Sequence, residues 1–142
     1  MPTPASECLY CQNNETLNNL MIKITDLEVS QLFLFKEQSY TGRCNVVYKD
    51  HGVELHELSD DQRNAYMRDV AKTAKAIAAA FNPTKINYGA YADTLSHLHM
   101  HIVPRWDGDT NFMSAVGETR VLPEELPKTA ARLRPVFASL RG

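Results

Sequence analysis

No stretch of this chain approaches the ~20 consecutive apolar residues that a membrane-crossing helix needs. The N-terminus, MPTPASECLYCQ, also lacks the basic region followed by an apolar run that marks a secretory signal. These two absences predict a cytoplasmic protein with no membrane partner. Charge of one sign is missing as well: 15 Lys and Arg against 17 Asp and Glu leave a net charge of −2 and no basic block. That argues against long nucleic acid, whose phosphate backbone rewards clustered cations. A small phosphorylated ligand needs only a few directed donors and stays open. Cysteine is scarce and odd in number, with Cys8, Cys11 and Cys44 alone. In a reducing compartment the Cys-x-x-Cys spacing of the first two favours metal binding or redox work over a structural disulfide. Cys44 sits in an apolar run and reads as a small core residue. Repeats, low-complexity tracts and long linkers are absent too. The 142 residues, 44% hydrophobic and 23% charged, suit one domain able to bury about two thirds of its unfolded surface.

What is present follows a simple order. The first dozen residues read as a short irregular knuckle. Residues 21–27 (MIKITDL), 29–36 (VSQLFLFK) and 43–49 (RCNVVYK, after Gly42) alternate or run apolar with β-branched and aromatic content and are predicted strands. The period then changes. In SDDQRNAYMRDVAKTAKAIAAAF, Met67, Val70, Ala71, Ala74, Ile77, Ala78 and Phe81 recur at three- and four-residue steps, which predicts one apolar helical face. Ser59 with Gln62 forms a capping box, and Asp60 and Asp61 lie where the helix dipole favours acids. Asn82-Pro83 stops this helix, and INYGAY at 86–91 is a strand running into a turn. WDGDTNFMSAVGETR is loop-like. EELPKTAARLRPVFASL is helical in composition, with Pro135 expected to kink or split it. The pattern β-β-β-α-β-β predicts an α+β fold, a mainly antiparallel sheet of about five strands with one long helix and a C-terminal helix.

Three of the five histidines fall within HLHMHIVPRW at 97–106, at strict two-residue spacing. On a strand this puts His97, His99, His101 and Val103 on one side and Leu98, Met100 and Ile102 on the other. The second set predicts a core face that fixes register, leaving the histidines for chemistry. Same-face imidazoles on a strand stand roughly 7 Å apart, too far to share one metal comfortably, so three separate jobs are expected. An imidazole can be a nucleophile, a phosphate donor or a metal ligand.

HLHMHIV resembles the His-φ-His-φ-His-φ-φ signature of the histidine-triad (HIT) superfamily of nucleotide hydrolases and transferases. The resemblance takes in the N-terminal Cys-x-x-Cys, the strand from Gly42 through Val46 and Val47 to the Lys49-x-His51 segment, the long helix and the Asn87-x-Gly89 turn. The continuation PRWDGDTNFMSAVGETRVLPE is similar to the branch that includes diadenosine tetraphosphate phosphorylases and hydrolases. The resemblance implies a single HIT domain over 1–142, with a zinc knuckle at 1–12 and a C-terminal loop and helix over 106–142. It implies that His99 is the nucleophile at the α-phosphorus, that the His97 carbonyl orients it, and that His101 hydrogen-bonds the phosphate. Asn87 and Thr94 match phosphate-contacting positions. Asn87 alone also reads as a turn residue beside Gly89. Trp106 could stack on a base or simply pack. Where the family commonly has Gly-Gln, this chain has Ala92-Asp93. Where the family carries a ribose-gripping acid, it has Phe35 or Lys36, with Glu37 adjacent.

HIT proteins of a common bacterial type bind zinc through such a cysteine pair, the histidine of Lys-x-His and the first triad histidine. Here those positions are Cys8, Cys11, His51 and His97, a set of two thiolates and two imidazoles suited to a closed tetrahedral site. A reduced dithiol without metal and a redox pair are the other readings of Cys8 and Cys11. His56 has no partner in this scheme and is expected to be exposed. The resemblance further implies a homodimer, a nucleotide or dinucleoside polyphosphate substrate, and room for Mg2+ accompanying the substrate's phosphates.

Three function classes follow. The first is an enzyme in which His99 forms a covalent nucleotidyl intermediate. The second is a non-catalytic nucleotide-binding or scaffold protein, against which the intact middle histidine argues. The third is a metal enzyme whose triad holds a catalytic ion, for which the chain is too short for a barrel and lacks a glutamate at cupin-like spacing.

Overall fold

A five-stranded antiparallel sheet organises the computed structural model, which describes residues 3–91, 95–109 and 126–140. Its strands are β1 (Met21–Asp26), β2 (Ser30–Phe35), β3 (Cys44–Tyr48), β4 (Lys85–Gly89) and β5 (His99–Arg105), in the order β1-β2-β3-β5-β4. Ahead of β1 come α1 (Leu9–Gln12) and α2 (Glu15–Leu20); α3 (Asp60–Phe81) joins β3 to β4, and α4 (Leu126–Ser139) closes the described residues. The α+β class, the antiparallel sheet and the long helix are as predicted. The chain divides into two compact units, Met1–Phe112 and Met113–Gly142. Among the described residues no helix is long and apolar enough to cross a membrane.

Each face of the sheet carries its own core. On one side Leu32, Cys44, Val46, Tyr48, Leu98 and Ile102 meet Tyr66, Val70, Ala74 and Ile77 of α3. On the other, Met21, Phe33 and Val47 meet Cys8, Tyr10 and Leu17 from the N-terminal segment. That second core corrects the picture of a bare chemical face, because α1 and α2 roof the side on which His99 lies. The N-terminal segment is also more ordered than an irregular knuckle. Asn13 in the left-handed region (φ 45°) ends α1, and the Asn14 side chain accepts from Thr16 N at 3.0 Å to cap α2.

The capping box of α3 is present, Ser59 accepting from Gln62 N, and Asn82 ends the helix in the left-handed region. Its buried stripe is shifted from the predicted one. Ala65, Tyr66, Asp69, Val70, Thr73, Ala74 and Ile77 are buried, whereas Met67 and Phe81 are 41% and 40% exposed. The reason is Asp69, a polar residue that sequence periodicity assigns to the outside. Its carboxylate accepts from Glu28 N (3.1 Å), Val29 N (2.9 Å) and Ser30 Oγ (2.6 Å), clamping the β1–β2 turn to the helix. A buried carboxylate with three donors is satisfied, so the helix can turn that stripe inward.

Gly42 has φ 79°, and a Cβ there would lie 2.9 Å from Pro104 Cγ and 3.0 Å from Phe81 Cε2. Only glycine fits this approach to β3. α4 runs through Pro135 as one element instead of splitting there. Proline forfeits a single i→i−4 bond, and Leu140 N still closes the last turn on Val136 O at 3.2 Å.

Candidate functional site

His97 lies two residues ahead of β5, not within it. The neighbouring backbone holds it there: Tyr48 N donates to Leu98 O at 3.0 Å, and Leu98 N donates to Gly52 O at 2.6 Å. These contacts bring the His51 loop, the end of β3 and the start of β5 together. The imidazole of His97 is 1% exposed, and its Nε2 donates to Tyr48 O at 2.7 Å. Since a carbonyl can only accept, Nε2 holds the ring proton and Nδ1 keeps its lone pair. That lone pair faces Cys8 Sγ at 3.3 Å and Cys11 Sγ at 3.5 Å. His51 repeats the pattern, with Nε2 donating to Thr3 O at 3.0 Å and Nδ1 facing Cys11 Sγ at 3.2 Å.

Cys8, Cys11, His51 and His97 therefore form one cluster whose ligand atoms lie within 4.8 Å of one another. Ligands of a tetrahedral zinc with bonds of about 2.0–2.3 Å sit roughly 3.3–3.8 Å apart. The donor set, the size and the carbonyls behind both imidazoles fit a closed metal site. The cluster can coordinate a metal, and all its residues are those predicted. Cys44 is buried in the sheet core, where burial pushes its thiol up to about 11, and His56 is exposed.

The next ring along is oriented from the same residue. His99 Nδ1 donates to His97 O at 2.7 Å, so Nε2 of His99 is the nitrogen with a lone pair. Burial lowers the pKa of His99, with the carbonyl bond pulling the other way. His101 follows with its ring centroid 5.1 Å from that of His99 and edge-on to it, closer than the spacing of an ideal strand because the two rings lean together. Burial first, then His99 and Arg43, depress the His101 pKa to about 4.

Both rings open onto a pocket of about 340 Å3. Its walls include Tyr10, Leu20, Met21, Phe35 and Leu95, with Glu37 contributing a carboxylate. The Glu37 carboxylate accepts from Ser39 N at 2.8 Å and from Ser39 Oγ, bonds that lower its pKa.

Asn87 pairs opposite Val103 on β4, two residues from His101 on the same sheet face, and its Oδ1 accepts from Arg105 Nη1 at 3.4 Å. Trp106 is half-buried just past β5, its N–H donating to Asp109 Oδ2 at 2.9 Å. Neither is among the described residues lining the pocket. Thr94 and the Ala92-Asp93 stretch lie outside the described residues, as does most of the loop after Trp106.

Three residues escape the sequence reading. Tyr10, between the two cysteines, places its ring 5.3 Å from both His97 and His99 and accepts from Asn45 Nδ2 at 2.8 Å. Burial pushes its hydroxyl up to about 12. Asn45 itself is fully buried and pairs opposite His101. Arg43 brings Nη2 to 3.4 Å from His101 Nδ1. A polar Asn in an otherwise apolar strand was the visible signal for one of them; nothing in the residue pattern marked the other two.

The chain belongs to the HIT family: the profile described as "HIT domain" matches residues 17–108. The protein named AP-4-A phosphorylase from Mycobacterium tuberculosis (strain CDC 1551 / Oshkosh) is 33% identical over 103 residues, 68% of this chain and 53% of that protein. The chain thus spans about half the length of that relative. Protein hit of Bacillus subtilis (strain 168) is 31% identical over 143 residues, covering 95% of this chain and 97% of that one. In three dimensions, a HIT family protein from Bacillus anthracis superposes with a TM-score of 0.70 at 22% identity, covering 97% of this chain and 100% of that chain.

Proposed function

We propose that this protein is a nucleotide-phosphate hydrolase or nucleotidyltransferase that works through a covalent nucleotidyl-histidine on His99. The observation that carries the reading is the 2.7 Å bond from His99 Nδ1 to the His97 carbonyl. It leaves one unprotonated nitrogen in a pocket, on a ring that burial keeps neutral. His99 Nε2 attacks the α-phosphorus of a nucleoside substrate, forming a P–N bond as the P–O bond to the leaving group breaks. Water or inorganic phosphate then attacks the same phosphorus and breaks the P–N bond, returning His99. His101 hydrogen-bonds a non-bridging oxygen and stabilises the charge that grows there. Asn87 and Thr94 contact the remaining phosphate oxygens, Trp106 stacks on a base, and the apolar pocket wall takes up the other apolar surface of the nucleotide.

Cys8, Cys11, His51 and His97 hold zinc in this reading, a structural ion that ties the N-terminal segment to the residue whose carbonyl aims His99. The name of the mycobacterial relative favours a dinucleoside polyphosphate, diadenosine tetraphosphate or a close analogue, as substrate. Mg2+ accompanies the substrate's phosphates, and the active form is a homodimer.

The test is incubation with diadenosine tetraphosphate, with and without inorganic phosphate, and identification of products by chromatography. Adenosine diphosphate formed only with phosphate identifies a phosphorylase, and cleavage without it a hydrolase. Intact nucleotide binding with no cleavage of this or smaller nucleoside-phosphate substrates replaces the proposal by a binding or scaffold role.

A further inference from the structure

Arg43 is fixed from three sides. Gly42 sets the turn before it, and Phe35 N donates to the Arg43 carbonyl at 3.2 Å, which sets Arg43, just ahead of β3, beside Phe35 at the end of β2. The guanidinium carbon lies 4.2 Å from the centroid of the Phe35 ring. The same Phe35 ring stacks on His101, with centroids 5.4 Å apart and planes 17° from parallel. From this seat Nη2 reaches Nδ1 of His101 at 3.4 Å.

A guanidinium has five N–H donors and no acceptor. The imidazole nitrogen it faces must therefore offer a lone pair, and in a neutral ring the one proton moves to the other nitrogen. We propose that Arg43 is a positioning residue that holds His101 in its Nε2–H tautomer, so that the ring presents an N–H donor to a phosphate oxygen beside His99. His99 is held the opposite way, its proton drawn to Nδ1 by a backbone carbonyl. Two adjacent rings of one residue type thus carry complementary functions at the same atom, a lone pair on one Nε2 and a proton on the next. The use made of that proton rests on the nucleotidyl-transfer reading; the tautomer itself does not.

The experiment is long-range proton–nitrogen correlation NMR on the full chain with 15N-labelled histidine at pH 7, for wild type, Arg43→Met and Arg43→Lys. Methionine keeps an apolar contact on Phe35 and removes every donor, whereas lysine can still donate. In the wild type, His101 is expected to show a protonated Nε2 and a bare Nδ1. Arg43→Met admits the Nδ1–H form, and Arg43→Lys restores the wild-type pattern. His99, whose partner is backbone, keeps its tautomer throughout. With a substrate in hand, Arg43→Met lowers kcat about tenfold, more than it changes KM, and Arg43→Lys recovers most of the loss. A wild-type His101 protonated at Nδ1, or an unchanged tautomer in Arg43→Met, overturns the inference; the first needs no variant to fold. A protein that cleaves no nucleotide yet shows the Arg43-dependent tautomer sinks the proposed function and leaves this inference standing.

Discussion

The carbonyl oxygen of His97 accepts the Nδ1 proton of His99 at 2.7 Å, while the His97 ring faces two thiols in the opposite sense. One residue thereby belongs to two structures, a metal-type cluster and a pocket wall. Replacing His99 by Ala should remove turnover, by on the order of 10⁴-fold, and leave nucleotide affinity within a few-fold. Steady-state rates and calorimetric titration with a nucleotide read the two quantities separately. Turnover surviving the substitution would rule out a covalent role for this ring.

Protein purified under reducing conditions should carry one zinc per chain, measured by elemental analysis. Cys11→Ser should lose it and give up about 3 kcal/mol or more of stability in denaturant unfolding, because binding energy at such a site is folding energy. Activity should fall in parallel as the segment carrying the His97 carbonyl loosens. Metal-free protein as stable as the wild type would contradict the assignment.

His101 supplies a pH signature. Its neighbours are His99, the Arg43 guanidinium and the rings of Phe35 and Tyr91, with Glu37 on the same pocket wall. Its folded pKa is about 4 against 6.5 for the free side chain. Between those values the unfolded chain binds the proton and the native one does not, so stability rises with pH across this window and is lost as pH falls through it. His101→Gln should flatten that part of the stability profile. A His101 that titrates near 6.5 by NMR would remove the basis for the effect.

Asp69 offers a test of the fold independent of the site. Asp69→Ala strips partners from two backbone N–H groups and the Ser30 hydroxyl at once. The expected cost is about 3 kcal/mol, read from the denaturation midpoint, with the pocket's chemistry unchanged in whatever fraction stays folded. A variant within experimental error of the wild type would mean that water replaces the carboxylate at that turn.

Which parts of this molecule could be read in advance follows from the range of the interactions involved. Strand periodicity, the Ser59 capping box and the Asn82 stop are local, and each stands where the residues placed it. The Cys8, Cys11, His51 and His97 cluster spans most of the chain, yet it was legible through resemblance because the motif is distinctive. Asp69 was not: it is a helix acid whose partners, Glu28 to Ser30, are forty residues away, and periodicity alone assigns a carboxylate to solvent. Arg43 and Tyr10 were missed for the same reason, since their importance comes from what the sheet register sets opposite them. The two-residue spacing puts His97 on β5, whereas the structure begins that strand two residues later, at His99, a boundary set by the contacts of Leu98 with Tyr48 and Gly52.

The atom that aims His99 is a main-chain oxygen, and this makes the contact indifferent to coding changes. Every amino acid at position 97 offers the same carbonyl, so a variant there can erase the imidazole from the cysteine cluster without deleting the acceptor behind His99. The two duties of position 97 can therefore be inherited, lost or exchanged separately. Relatives lacking both cysteines would need only to keep the backbone path, and the ring at position 99 would still face the same way.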